Sequence, residues 1–158
     1  MKAEDWPDLL EIFQDFEASP YAQFDYPLPL EEAGVQQLAD RWAKTGLFFA
    51  VRLRGKTEMI GYICFLNDDG AYDIGYNFKS KEQGKGYAYE AASAMLQTMR
   101  AERGITYFTA GLALGNRPSR RLAEKLGFVL VGTETRTFRK DTAGQGIPCK
   151  CGNFELFS

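Results

Sequence analysis

One loop of the chain reads Gln83-Gly84-Lys85-Gly86-Tyr87-Ala88 and leads directly into a helical pattern that continues to about Glu102. The first amide groups of a helix have no acceptors inside the helix, and they stand at the positive end of its dipole. Glycines let the backbone approach an anion closely. The pattern therefore predicts a cradle for a phosphate group at the start of this helix.

Three phosphate ligands use loops of this kind. A nucleotide-binding P-loop requires Ser or Thr after its lysine, whereas Gly86 follows Lys85 here. A dinucleotide-binding fold requires a third glycine at the position of Tyr89 and a series of β-α-β units, which the sequence does not show. The pyrophosphate of coenzyme A fits the context best, and a loop that merely begins a helix is the remaining alternative.

The rest of the sequence predicts a mixed-sheet α/β fold. Two helices are followed by three strands whose short turns, Arg54-Gly55-Lys56 and Asn67-Asp68-Asp69-Gly70, imply an antiparallel meander. The strand–helix–strand unit at residues 71–111 predicts a parallel pair joined by a right-handed crossover. The first predicted helix begins at Asp5-Trp6-Pro7, and three more cover residues 30–44, 87–102 and 116–126. The predicted strands cover residues 47–53, 58–66, 71–78, 105–110, 128–139 and 149–157.

Length and charge exclude several classes of protein. The chain has 158 residues, which fits a single domain over residues 1–158. The net charge of −2 excludes a strongly cationic nucleic-acid binder. No apolar run approaches the ~20 residues that span a bilayer, and the N-terminus has no apolar signal core. We therefore expect a cytoplasmic protein with neither a nucleic-acid nor a membrane partner.

The residue types available for chemistry are restricted as well, because the chain contains no histidine. This excludes Ser-His-Asp and Cys-His mechanisms, so acid–base work falls to Asp, Glu, Tyr, Lys, Cys or bound water. Cys64, Cys149 and Cys151 are an odd number and lack the second ligand pair of a zinc site. We expect neither a disulfide framework nor a metal centre.

Three motifs resemble the GNAT superfamily of N-acetyltransferases. Gln83-x-x-Gly86-x-Ala88 resembles the family's Gln/Arg-x-x-Gly-x-Gly/Ala motif. The wider string Gly84-Lys85-Gly86-Tyr87-Ala88-Tyr89-Glu90-Ala91 is similar to the Rim-type branch, which acetylates protein N-termini and small amines, and Ile74-Gly75-Tyr76 fits that branch's fourth strand. Asn116-x-x-Ser119-x-x-Leu122-x-Glu124-Lys125-Leu126-Gly127-Phe128 fits its later motif. The resemblance covers about residues 30–140 and implies a GNAT-like fold, a mostly antiparallel sheet with a central, splayed parallel pair and flanking helices.

The sequence departs from the family in two places. Family members usually open with a strand before the first helix, whereas this chain begins almost at that helix. Either the strand is missing and the sheet has one strand fewer, or Met1 is not where homologous chains start. Many members carry a tyrosine shortly before Glu-x-Leu-Gly-Phe as the general acid, and the matching residue here is Ala123. The resemblance therefore leaves the general acid unassigned.

The resemblance implies that acetyl-CoA binds between the splayed strands. The backbone of the fourth family strand would pair with the cofactor, the amides of the glycine-rich loop would bind its pyrophosphate, and Lys85 would add a charged contact or remain a solvated loop lysine. Asn116 would lie near the pantetheine amide and Ser119 near the thioester sulfur. The implied cofactor-binding residues are Tyr76, Asn77, Phe78, Gln83, Gly84, Lys85, Gly86, Tyr87, Ala88, Asn116 and Ser119.

Asp73 and Ser119 are the candidate catalytic residues. The amine acceptor must lose a proton before it attacks the thioester, and a carboxylate acting through ordered water is the simplest base in a chain without histidine. Strand alternation places Asp73, Gly75 and Asn77 on one face, where Asp73 would hold or deprotonate the amine. Ser119 would pass a proton to the departing thiolate. The structural alternatives are a strand-end acid for Asp73 and a helix-surface serine for Ser119, and the oxyanion would be bound by a backbone N–H near Asn77 or Phe78.

The acceptor site should be walled by the loops at residues 18–29 and 140–148. Tyr21, Phe24, Asp25 and Tyr26 would hold the amine through carboxylate and cation–π contacts, or they form an aromatic plug over the core. The leading hypothesis is an acetyl-CoA-dependent transfer to a primary amine, by direct attack in a ternary complex, in a monomer or homodimer. The alternatives are a catalytically silent acyl-CoA-binding module and a different phosphate ligand on a similar loop.

Overall fold

The computed structural model describes residues 1–157, which form four helices and six strands. The helices are α1 (Trp6–Glu17), α2 (Glu32–Thr45), α3 (Tyr87–Arg103) and α4 (Arg117–Lys125). The strands are β1 (Phe48–Arg52), β2 (Met59–Asp68), β3 (Ala71–Phe78), β4 (Tyr107–Ala113), β5 (Val129–Lys140) and β6 (Gly146–Phe157). No strand precedes α1 within this part of the chain.

All six strands belong to one sheet in the order β1-β2-β3-β4-β6-β5. Every neighbouring pair is antiparallel except β3 and β4, which are parallel. That pair has two rungs, Tyr72 with Phe108 and Asp73 with Thr109. Beyond Asp73, β3 continues along β2 while β4 continues along β6, so the sheet splits open. The predicted mixed sheet and its splayed parallel pair are confirmed.

The last strand lies between β4 and β5, an order that the sequence did not predict. β6 pairs with β4 from Tyr107 to Ala113, and this partner extends β4 three residues beyond the predicted end at residue 110. β6 itself begins at Gly146, three residues before the predicted start at residue 149, because its first residues pair with the far end of β5. Strand ends are therefore set by the partner strand as well as by local sequence.

Hydrophobic residues are buried on both faces of the sheet. On one face, α3 and α4 cover a cluster that includes Phe65, Phe78, Leu96, Phe108 and Phe154. On the opposite face, α1 and α2 cover a second cluster, which contains Leu9, Phe13, Val35, Met59 and Tyr62. Strand β2, which has a partner on each side, supplies both clusters, and this explains its nearly unbroken apolar run.

None of the helices in residues 1–157 is both long enough and apolar enough to cross a membrane. In the same residues, histidine, cysteine and carboxylate side chains form no group of three or more with the arrangement of a metal site.

Gly61 on β2 lies so close to the end of β3 that there is no room for a side chain. A Cβ at this position would lie 2.5 Å from Phe78 Cδ1 and 2.6 Å from the carbonyl oxygen of Asn77. We expect Gly61→Ala to lower the free energy of unfolding by about 1–3 kcal/mol, because the end of β3 must shift. Gly132→Ala is the matched control, since nothing lies within 4 Å of a Cβ there, and it should stay within about 0.5 kcal/mol of wild type. Urea unfolding measures both values, and equal stabilities of the two variants would contradict the expectation.

Candidate functional site

A cavity of about 600 Å³ opens where β3 and β4 separate. It is lined by the end of β3, the loop before α3, the first turn of α3 and the start of α4. This cavity is called the groove below. Its lining includes every predicted cofactor-binding residue except Lys85, namely Tyr76, Asn77, Phe78, Gln83, Gly84, Gly86, Tyr87, Ala88, Asn116 and Ser119. Separate motifs of the sequence thus meet at one site.

The glycine-rich loop at one end of the groove has the geometry of an anion cradle. Gly84 and Gly86 have φ of 74° and 85°, in the left-handed region that favours glycine. Gly86 is also the residue at which α3 begins, and no described side chain caps the amides of the first turn. A Cβ at Gly84 or Gly86 would meet nothing within 4 Å, so both residues face open space. The loop can therefore receive a bulky anion without moving its backbone.

Gln83 and Lys85 behave differently from each other. The Gln83 side chain donates to the carbonyl oxygen of Phe78 at 2.9 Å and so fastens the loop to the end of β3. Lys85 lies outside the groove and pairs with Glu82 at 3.3 Å. Its contact with an anion remains a prediction.

The start of α4 forms the second wall of the groove. Asn116 Oδ1 accepts a hydrogen bond from the Ser119 amide at 3.3 Å, which is the predicted N-cap. Sequence reasoning missed Arg121, an exposed cation of the same wall. Its position relative to Pro118 and Leu122, which also line the groove, has helical spacing and could have revealed it.

Tyr76 has a second role that sequence reasoning missed. We expected its backbone to serve the cofactor, but its side chain also crosses the groove to α4. Its hydroxyl donates to the Ser119 carbonyl oxygen at 2.9 Å and lies 3.1 Å from Ser119 Oγ. Burial raises the pKa of Tyr76, although the hydrogen bond to Ser119 acts in the opposite direction. The phenol therefore stays protonated at neutral pH.

Asp73 stands at the point where the parallel pair ends. Its Oδ1 accepts hydrogen bonds from Thr109 Oγ1 at 2.9 Å and from the Gly111 amide at 3.2 Å. Gly111 lies beyond the last rung between β3 and β4, so its amide has no backbone partner on β3. Burial raises the pKa of Asp73 despite these two hydrogen bonds and the nearby charge of Arg136. Asp73 lies outside the lining of the groove, on the face of β3 opposite the buried Ile74.

Asp25 lies on the same side of the sheet as Asp73. Burial is the main cause that raises the pKa of the Cys64 thiol to about 12, and the charges of Asp73 and Asp25 add to it. The Asp25 residue is accessible to solvent, yet neighbouring protein atoms partly desolvate its carboxyl group, and this desolvation raises its pKa. Two carboxylates that are easier to protonate than usual thus face one region.

The 18–29 loop lies between the groove and this acidic region. Tyr21 lines the groove, and the Phe24 ring would be 2.9 Å from a Cβ on Gly115, the residue before Asn116. The ring of Tyr26 packs edge-on against Phe138 with centroids 5.0 Å apart. The four predicted acceptor-binding residues are therefore divided, with Tyr21 on the groove and Asp25 on the acidic side.

Arg139 on β5 holds this loop in place. Its Nε donates to the Asp25 carbonyl oxygen at 2.8 Å, and its two terminal nitrogens donate to the Glu17 carboxylate at 2.7 and 2.9 Å. Arg139 and Phe138, which contact the 18–29 loop, both belong to strand β5. The segment 140–148, which we predicted as a second wall of the acceptor site, contains only the last residue of β5. Within this segment, the Asp141 carboxylate accepts hydrogen bonds from the amides of Ala143 and Gln145 in its own turn.

The sequence of residues 1–129 matches the profile of the acetyltransferase (GNAT) domain. The chain belongs to the GNAT acetyltransferase family. Enzymes of this family are N-acetyltransferases that use acetyl-CoA as the acetyl donor. The resemblance stated from the motifs is thereby confirmed.

Individual relatives support this assignment at different levels. An uncharacterized N-acetyltransferase, YnaD of Bacillus subtilis, is 38% identical over 81 residues, which are 50% of this chain and 48% of that protein. The match thus spans about half of the relative's own length. Ribosomal-protein-S5-alanine acetyltransferase of Vibrio fischeri has the same fold, with a TM-score of 0.82 at 20% identity over 99% of this chain and 90% of that one. RimL, a ribosomal L7/L12 acetyltransferase solved with coenzyme A, has a TM-score of 0.80 at 17% identity over the same shares.

Gly86→Glu tests whether the cradle binds an anion. The variant places a carboxylate where a pyrophosphate would bind, so we expect the affinity for coenzyme A to fall at least ~100-fold. Gly144→Glu is the matched control, because Gly144 has a φ of 80° and open space around it but lies in the β5–β6 turn. Titration calorimetry measures both affinities. Unchanged affinity in a folded Gly86→Glu variant would contradict the cradle.

Proposed function

We propose that this chain is an acetyl-CoA-dependent N-acetyltransferase that acetylates a primary amine, either a peptide N-terminus or a small amine, by direct attack in a ternary complex. One observation carries the proposal. The groove has an anion cradle at one end, and at its other end the sheet splits beside two carboxylates of raised pKa. An acyl donor and an amine can therefore approach each other from opposite faces of the sheet.

The residues of the groove fit coenzyme A. The amides at the start of α3 would bind its pyrophosphate, and Arg121 stands beside them as a positive charge. After Asp73, β3 has no further partner on its β4 side in the described part of the chain, so the backbone groups of Ile74 to Asn77 that point away from β2 are available to an extended ligand. When bound, acetyl-CoA supplies an acetyl group activated as a thioester.

The carboxylates would prepare the amine. An alkyl amine is protonated at neutral pH and attacks only after it loses a proton. Burial brings the pKa of Asp73 closer to neutrality, and this makes its carboxylate a better base than an exposed aspartate. Asp25 would attract and orient the cationic amine from the 18–29 loop. A backbone N–H of β3 near Asn77 or Phe78 would donate to the developing oxyanion.

The acceptor is proposed at the level of a primary amine. The Vibrio fischeri protein and RimL are named as acetyltransferases of ribosomal proteins, and their low identity to this chain shows the fold alone. A peptide N-terminus is accordingly one acceptor to test, beside polyamines and amino sugars. The acidic region around Asp25 and Asp73 suits any of these cations.

One observation favours a second candidate, a silent acyl-CoA-binding module. The residue at the family's usual general-acid position, Ala123, is 1% exposed and packs in the core beneath α4. Such a module would bind acetyl-CoA and transfer nothing.

A thiol-release assay distinguishes the two candidates. Purified protein and acetyl-CoA are mixed with Ala- and Ser-starting peptides, spermidine and aminoglycosides, and free coenzyme A is measured with a thiol reagent. We expect one of these classes to raise release above the rate without acceptor. If acetyl-CoA raises the melting temperature but no amine stimulates release, the binding module is the better description.

Asp73→Asn should separate catalysis from stability. Because the folded state raises the pKa of Asp73, ionisation of this group costs stability as the pH rises through that pKa. The amide oxygen of the new side chain would still accept from Thr109 and Gly111, so the variant should melt above wild type at pH 7, with the difference vanishing below about pH 4. We also expect transfer to fall ~100-fold, since the base is lost.

The control for this variant is Asp40→Asn on the exposed side of α2. This control should change the free energy of unfolding by less than about 0.5 kcal/mol, and it should leave the rate of transfer unchanged. A full rate of transfer in Asp73→Asn would remove Asp73 from the mechanism, whatever the melting curves show.

A further inference from the structure

One phenol of the sheet reaches across the groove to the first turn of α4. Tyr76 is the third residue of β3 after its last rung with β4, so it stands where the sheet has just split. Its hydroxyl bonds to both the carbonyl oxygen and Oγ of Ser119. We propose that Tyr76 and Ser119 form a two-hydroxyl proton relay to the thiolate that leaves acetyl-CoA, an inference that rests on the proposed function.

The two hydroxyl groups are held firmly in relation to each other. The Ser119 amide donates to the cap residue Asn116, which fixes the first turn of α4. Tyr76 is partly buried, and it packs against the core cluster that α3 and α4 cover. Neither group therefore needs to be ordered when a ligand binds, and this favours a catalytic arrangement over an incidental contact.

The two hydroxyl groups can exchange the roles of donor and acceptor. Each hydroxyl carries one hydrogen, so when Tyr76 donates to the Ser119 carbonyl, the 3.1 Å contact is filled by Ser119 Oγ–H donating to Tyr76. Rotation about the two C–O bonds reverses this contact. Tyr76 then donates to Ser119 Oγ, and the Ser119 hydrogen points into the groove without movement of any heavier atom.

The protonation state suits a donor. Burial is the main cause that raises the pKa of Tyr76, and the charge of Asp73 acts in the same direction. The hydrogen bond with Ser119 offsets part of this effect. At neutral pH the phenol carries its proton and can give it to a thiolate, whereas it cannot serve as the base for the amine.

The relay would supply the acid that is missing at position 123 of α4. Ala123 points into the core, so no group at that position can reach a ligand in the groove. Leu122 lines the groove but is apolar. Tyr87 and Tyr89 lie at the cradle end in the first turn of α3, which leaves Tyr21 of the 18–29 loop as the competing phenol near the split.

With this relay, every bond and proton of the transfer step is accounted for. The amine nitrogen forms a bond to the carbonyl carbon, and the C–S bond breaks with its electron pair moving to sulfur. Sulfur takes the Ser119 hydroxyl proton, and Ser119 takes the Tyr76 proton. The proton that the amine releases returns to the Tyr76 oxygen through solvent, so the products are an amide and the free thiol of coenzyme A.

Titration of the bound coenzyme A thiol tests the relay without turnover. Hydrogen bonds from Ser119 and Tyr76 favour the thiolate, so the thiol bound to wild type should ionise at a lower pH than free coenzyme A. The ultraviolet absorbance of the thiolate, corrected for ligand-free protein, gives the midpoint. We expect Tyr76→Phe to move this midpoint back toward that of free coenzyme A while the dissociation constant changes less than about threefold.

Tyr72→Phe is the matched control. Tyr72 lies on the same strand and face as Tyr76, but its hydroxyl contacts Asn67 at 3.3 Å outside the groove. This variant should keep the wild-type midpoint. A Tyr76→Phe midpoint equal to that of Tyr72→Phe would overturn the relay, as would a shift caused by Tyr21→Phe in place of Tyr76→Phe.

Kinetics with an acceptor from the thiol-release assay give the second readout. We expect Tyr76→Phe to lower kcat ~10–100-fold with little change in the KM for acetyl-CoA. Ser119→Ala should lower kcat similarly, and the double variant should be no slower than the slower single variant, because the two hydroxyls act as one unit. Multiplicative losses would overturn the relay. A wild-type protein that binds coenzyme A and shifts its thiol midpoint but transfers to no amine would instead refute the proposed transferase activity.

Discussion

The architecture of the site depends on a parallel strand pair that ends after two rungs. Hydrogen bonds of β3 with β4 stop at Asp73, and β4 then follows β6. Buried backbone groups need partners, so a split in the middle of a sheet requires something to satisfy its edges. Here the Asp73 carboxylate satisfies the Gly111 amide on one side, and the edge of β3 beyond it is left for a ligand.

The alternation of side chains along β3 separates two chemical tasks. Tyr76 points to the helix-covered face, where the groove, the cradle and Ser119 lie. Asp73 points to the other face, the side on which Cys64 feels the charges of both Asp73 and Asp25 and on which Arg139 fastens the 18–29 loop. A donor with a large anionic tail and a cationic acceptor would thus enter from opposite sides and meet at the split. The carboxylates of Asp73 and Asp25 would attract the amine on their side.

Sequence patterns anticipated much of this arrangement, but not all of it. The cradle was predictable because a glycine pair before a helix has a local physical meaning, and Asn116 was predictable as a cap for the same reason. Lys85 pairs with Glu82, three residues earlier, and does not line the groove, so the loop pattern alone did not decide which anion this lysine meets. Arg139 bonds to Glu17 and Asp25, which both lie more than a hundred residues earlier in the chain. The position of β6 beside β4 depends on pairing between residues 38 to 50 positions apart.

Periodicity, turn residues and local motifs were enough to establish the elements, the mixed sheet, the glycine cradle and the family, because each of these follows from residues close together in the chain. Long-range packing alone set which groups face one another. It brought the Tyr76 hydroxyl to Ser119, buried Ala123 in the core, and placed Asp73 at the end of the parallel pair. The physical reason is that hydrogen-bond partners, burial and the resulting pKa shifts depend on residues distant in sequence, whose meeting is set by the packing of the whole sheet.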